Sequence, residues 1–141
     1  MVLRKIILEE LYCKLVILVR DKRVLNESSK YIKCDCCDYS SVKHIMCKVK
    51  DSPHYKYVNG DKDEYINYMK LAGIYAGYGL EHGFDIFDNL IKNFDINKKG
   101  TIKCISKNGR YIIIDGVHRV SILLNKEYTE IMVNLEESGG N

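Results

Sequence analysis

Apolar positions recur along this chain with two periods. Residues 14–20, KLVILVR, form a short run of branched apolar residues between two basic ones and predict a buried strand. SVKHIMCKV, 41–49, alternates apolar and polar positions and predicts a second. The stretch between them, about 26–40, carries charges and cysteines and is expected to be a loop or hairpin. From 59 the period changes. In NGDKDEYINYMKLAGIYAG, Asp61 stands three residues before Glu64 like a capping box, and Tyr65, Tyr68, Met69, Ala72 and Ala76 fall on one helical face. Gly73, Gly77, Gly79 and Gly83 are expected to end that helix near 77 and to make YGLEHGF, 78–84, a loop. Asp85 is then read as the cap of a second helix, DIFDNLIKNF, whose Phe87, Leu90, Ile91 and Phe94 have the i, i+3, i+4, i+7 spacing of a core-facing stripe.

TIKCISK (101–107) and RYIIID (110–115) flank Asn108-Gly109, a dipeptide that accepts positive φ at both centres of a tight turn, so an antiparallel hairpin is expected there. The second arm runs without interruption into VHRVSILL, which predicts a helix over about 117–126, and EIMVNL (130–135) predicts a last strand before the polar tail EESGGN, expected to be disordered over 136–141. Strands and helices in this order imply an α/β (α+β) fold: one small mixed-sheet domain spanning 1–141, with its core over about 14–135.

A length of 141 residues suits a single core, and the apolar and charged fractions are ordinary for a globular protein. The formal charge of +3 is spread among interleaved acidic and basic residues, which gives no stripe for nucleic acid. The apolar run at 14–20 is far short of the roughly 20 residues that span a bilayer, and no small-residue cleavage site follows it, so a cytoplasmic protein is expected. A homodimer stays open.

Six cysteines without an export signal read as reduced thiols, metal ligands or core residues. Cys13 and Cys104 lie in apolar, strand-like surroundings and read as core. Cys34, Cys36, Cys37, His44 and Cys47 offer enough soft ligands for zinc, but their spacing lacks the paired Cys-x-x-Cys knuckles of a zinc ribbon, and an unliganded, partly exposed loop is the favoured reading over a zinc site.

The chemistry concentrates where strand becomes helix, at Asp115, Gly116, His118 and Arg119. The first turn of a helix presents backbone N–H groups and about half a positive charge, and a glycine there leaves room for an anion to approach. The amides of Val117, His118 and Arg119, the planar Arg119 fork and the His118 ring would together form a phosphate cradle. The bland alternative makes Asp115 the N-cap, Gly116 a turn residue, His118 a boundary residue and Arg119 a surface side chain. Ile112–Ile114 before the join and Val120, Ile122, Leu123 and Leu124 after it favour the cradle, because polar groups at the rim of a core are costly without a partner. Ser52, His54 and Tyr55 in SPHY, expected on a loop after a strand end, and His82 in EHGF are candidate substrate contacts.

DGVHRVSIL after a hairpin strand resembles the signature of the ParB/sulfiredoxin fold. SPHYKYVNGDKDEYINYM, EHGFDIFDNLI and YIIIDGVHRVSILL resemble three blocks of the ParB-like branch associated with polysaccharide biosynthesis, so the likeness spans about 42–133. The resemblance implies nucleotide phosphates held by Gly116, Val117, His118 and Arg119. It also implies a phosphotransferase or nucleotide hydrolase, similar to the free serine kinases, that uses ATP or another nucleotide on a small metabolite. In that reading His118 and Arg119 neutralise the moving phosphate and Asp115 acts in catalysis, binding magnesium or placing the attacking hydroxyl, with Glu64 or Glu81 as candidate base. Val117 stands where sulfiredoxins have their reactive cysteine, so their chemistry is not implied. No helix-turn-helix region follows, so neither is sequence-specific DNA binding. A nucleotide-gated binding module that regulates a partner, and a ParB-like nuclease, are the competing functions.

Overall fold

The computed structural model describes residues 2–18, 32–38, 42–72, 80–98 and 100–137; the side chains at 16–18, 32–38, 42–44, 70–72, 80–83, 98 and 137 lie outside the description. In chain order the elements are β1 (Val2–Ile7), β2 (Leu11–Leu18), β3 (Ile32–Asp38), β4 (Val42–Lys48), α1 (Pro53–Val58), α2 (Asp63–Ala72), α3 (Leu80–Lys92), β5 (Lys103–Lys107), β6 (Arg110–Asp115), α4 (Val117–Asn125) and β7 (Glu130–Glu137). The seven strands form one mixed sheet in the order β1-β7-β5-β6-β2-β4-β3. β2 runs parallel to β6 and β5 parallel to β7, and the other neighbours are antiparallel. This is the α+β, mixed-sheet architecture expected from the pattern.

Each strand divides its residues between two faces. Leu11, Cys13 and Leu15 of β2, Ile45 and Cys47 of β4, Cys104 and Ile113 of the hairpin, and Ile131, Val133 and Leu135 of β7 enter one buried cluster, joined by Val120 and Leu123 of α4. Lys14, Ile114 and Met132 alternate out of it. The Asn108-Gly109 turn takes positive φ at both residues, 53° and 75°, as the dipeptide implied. Counting outward from it, Lys107 pairs Arg110 and Cys104 pairs Ile113; a register shift then sets Lys103 against Asp115.

A second buried cluster, Tyr57, Tyr65, Met69, Phe87 and Ile122, fills the layer formed by α1, α2 and α3. α4 lies between the two clusters, Val120 and Leu123 toward the sheet and Ile122 toward the other helices, which is why its sequence is apolar on more than one side. The buried Ser121 hydroxyl is satisfied by the Val117 carbonyl at 2.9 Å.

Several boundaries differ from the sequence reading. β1 was not foreseen: its sequence, VLRKII, has two charges at its centre, and pairing with β7 decides its state. The cysteine stretch is a strand over Ile32–Asp38 that pairs with β4, so the hairpin alternative holds there and the loop does not; 26–31 and 39–41 lie outside the described residues. SPHY begins helix α1 rather than lying on a loop: Pro53 occupies the first helical position, where its missing N–H costs nothing, and the Ser52 hydroxyl accepts from Tyr55 N at 3.2 Å. α3 starts at Leu80, so residues 80–84 are helical and Asp85 lies inside the helix instead of capping it. Gly83 is carried there because the face bearing Phe84 and Phe87 is buried against α2, which outweighs roughly 1 kcal/mol of glycine propensity. Ala76 and the end of the preceding helix lie outside the description. β7 continues through Glu137, two residues into the stretch expected to be disordered, and 138–141 lie outside the description.

Candidate functional site

β6 delivers the chain to Gly116, which is the N-cap of α4 with φ 122° and ψ 16°. Asp115 is therefore not the cap. A side chain at 116 would be strained by the positive φ, and a Cβ there would stand 3.1 Å from Ile102 and 3.3 Å from Nη2 of Arg119. The helix thus starts bare, with no side chain at its N-cap position to lie over the amides of its first turn.

Arg119, a turn further on, folds back toward this start. Its side chain is only 19% exposed, and Nη2 lies 3.3 Å from Oδ2 of Asp115, whose own side chain is 64% exposed. A Cβ at Gly100 would lie 2.9 Å from Nη1 of Arg119, and Gly100 too has positive φ, 73°. Two glycines therefore make room for one guanidinium, one from the helix cap and one from the segment entering β5. Sequence reasoning missed Gly100. The signal was the hairpin register: once Lys103 lies against Asp115, residues 100–102 run beside the helix start.

His118 points the other way, into the helical layer. Its ring stands 4.6 Å from that of Phe87 and 4.9 Å from that of His54, both nearly perpendicular, and Nε2 is 3.4 Å from the Tyr65 hydroxyl. Burial, helped by the charge of Arg119, pulls its pKa down to about 4, so the ring is neutral at pH 7. His54 is buried as well, burial and then His118 lower its pKa, and its Nδ1 is enclosed without a hydrogen-bond partner. The two histidines are wall-like members of an aromatic cluster with Tyr65, Tyr68 and Phe87.

The other candidates disperse. Ser52 is fully buried, donates to the Val49 carbonyl at 2.6 Å and caps α1. Tyr55, next to His54 in sequence, turns to a cleft of about 540 Å³ shared with Lys50, Glu127 and Tyr128, beyond the C-terminal end of α4 and away from Arg119. His82 lies on α3 and its side chain is outside the described residues, as is that of Glu81. Glu64 is ion-paired with Lys56, a tie between α1 and α2. Of the zinc candidates, Cys47 is fully buried in the sheet core, and the side chains of Cys34, Cys36, Cys37 and His44 lie outside the description. Among the described residues no group of three or more His, Cys, Asp or Glu side chains could hold a metal ion, and no helix is long and apolar enough to cross a membrane.

Asp115, Gly116, Val117 and Arg119 are thus brought together at one rim, with His118 behind them. No family model, curated protein or solved structure matches this chain.

Proposed function

We propose that the start of α4 binds the phosphates of a nucleotide, and that the protein is a ParB/sulfiredoxin-like phosphotransferase or nucleotide hydrolase acting on a small metabolite, in keeping with its resemblance to the branch associated with polysaccharide biosynthesis. The observation that carries this reading is the seat of Arg119 between Gly100 and Gly116, beside a helix start with no side-chain cap. A largely buried guanidinium at such a point adds a two-pronged donor to amides that already favour an anion. The bare cap permits close approach, and Arg119 answers the charge. Neutral His118 packs behind the rim against Phe87, His54 and Tyr65.

Magnesium fits this rim only as part of a nucleotide complex: Asp115 is a single accessible carboxylate, and Mg²⁺ commonly takes one or two carboxylates plus phosphate oxygens. It would supply charge neutralisation to the transferring phosphoryl group. Asp115 would hold it, or accept the proton of the attacking hydroxyl, after turning from Arg119.

The Asp115–Arg119 ion pair also supports a second reading, a non-catalytic nucleotide-gated module, because a carboxylate kept on the guanidinium orients it for binding without being spent on chemistry. Titration calorimetry with ATP, ADP, CTP and GTP, with and without Mg²⁺, tests both. Arg119→Ala should weaken nucleotide binding by roughly 1.5–3 kcal/mol, about 10- to 150-fold in Kd. Unchanged affinity in a folded variant removes the proposal. Asp115→Asn that keeps binding and loses phosphate release supports catalysis; if wild type binds and releases no phosphate with any acceptor, the module stands.

A further inference from the structure

Cys13 and Cys47 are paired residues of the antiparallel β2–β4 ladder, and their Sγ atoms are 3.9 Å apart. Both are fully buried on the face of the sheet that carries the core, and both are free thiols. The contact is therefore not an accident of two mobile surface side chains: strand register holds the sulfurs against each other. We propose that Cys13 and Cys47 are a redox-modification site, closing to a cross-strand disulfide when the protein meets a peroxide and reopening with a thiol reductant.

The geometry needs little change. A disulfide joins Cα atoms about 4.4–6.8 Å apart, and opposed residues of an antiparallel pair lie about 4.5–5.5 Å apart at Cα. The sulfurs must close from 3.9 Å to roughly 2.05 Å, a distance that rotation about the two Cα–Cβ bonds and a slight approach of the strands can cover. Peroxide is small enough to enter on local opening of the sheet. In the first step the Cys13 thiol gives up its proton, its sulfur attacks one peroxide oxygen, the O–O bond breaks, and the departing hydroxide takes that proton, so that sulfenic acid and water result. In the second the Cys47 sulfur attacks the sulfenic sulfur, the S–O bond breaks, and the hydroxyl leaves as water with the second thiol proton. In sum, two thiols and one hydrogen peroxide give one disulfide and two waters: the sulfurs are oxidised by two electrons and the peroxide is reduced by two.

The Cys47 thiol, burial and the charge of Cys47 push the Cys13 thiol up, with Ser52 acting against them. The closed fold therefore protects the pair, and oxidation proceeds through opening. Ser52 also caps α1, the helix that seats His54 against His118, so the redox pair adjoins the element that packs behind the candidate site.

The test treats the folded, full-length protein with hydrogen peroxide, blocks remaining thiols with N-ethylmaleimide under denaturing conditions, and digests with trypsin. Tryptic fragments 6–14 and 44–48 should appear joined and two hydrogens lighter than their sum, should separate with dithiothreitol, and should be missing in both Cys13→Ala and Cys47→Ala. The oxidised protein should melt several degrees higher than the reduced form, and dithiothreitol should reverse the shift; this second reading needs no variant. Cys13 and Cys47 recovered as alkylated thiols while the protein is folded and other cysteines are oxidised would overturn the proposal. So would fragments 6–14 and 44–48 joined to other cysteines as often as to each other.

Discussion

At the scale of single residues, two neighbours on α4 face different physics. His118 packs among aromatic rings beside the Arg119 charge, and its pKa of about 4 lies below the unfolded value near 6.5. The unfolded chain therefore binds the proton more readily, so this residue's contribution to stability is full above about pH 6.5 and is lost as pH falls toward 4. His54 shifts in the same direction. Denaturant unfolding at pH 7.5 and pH 4.5 should show the folded state weaker at the lower pH by roughly 2–3 kcal/mol from His118. His118→Phe should flatten that part of the profile, and an unchanged slope would argue that the ring is not buried. Arg119 is governed by space: Gly116→Ala must hold a φ of 122° and meet Ile102, and should cost on the order of 1–3 kcal/mol by urea titration. Both residues were visible in the sequence as polar groups at a buried join. Which one faces the rim was not, because a helical residue's direction depends on where its neighbours pack.

At the scale of elements, α1 shows how one cap organises a region. Ser52 accepts the Tyr55 N–H, donates to Val49 and stands before Pro53, fixing the start of a helix of only six residues. So short a helix has little intrinsic stability, and the rest comes from Tyr57, stacked on Phe87 at 4.9 Å and bonded to Asp88 through its hydroxyl. Ser52→Ala should destabilise the protein by about 1 kcal/mol and reduce hydrogen-exchange protection first at residues 55–60. Protection lost uniformly instead would show that the cap holds the whole domain and not α1. Periodicity exposed α4 and the Phe87 stripe because their apolar faces are continuous. It misplaced the start of α3, where Gly83, which reads as a breaker, is carried by aromatic packing against α2.

At the scale of the whole molecule, the parallel β2–β6 and β5–β7 contacts bind the first strands to the last, and α4 is shared by both buried clusters. Neither layer can lose its partner without exposing α4. Unfolding followed by the fluorescence of the 11 tyrosines, in a chain without tryptophan, should therefore coincide with unfolding followed by far-UV circular dichroism. Separated midpoints would mean that the helical layer opens apart from the sheet.

Local chemistry in the chain itself determined the hairpin at Asn108-Gly109, the strand at 110–115, the helix after Gly116 and the α+β class, because turn propensity and apolar period act over a few residues. Tertiary structure alone decided that β1 is a strand, that Cys13 meets Cys47 across 34 positions of sequence, that Gly100 comes to the side of Arg119, and that His118 packs among aromatic rings and is uncharged. These depend on strand order and register, which arise when distant segments compete to bury the same surface, and no local pattern carries the outcome of that competition.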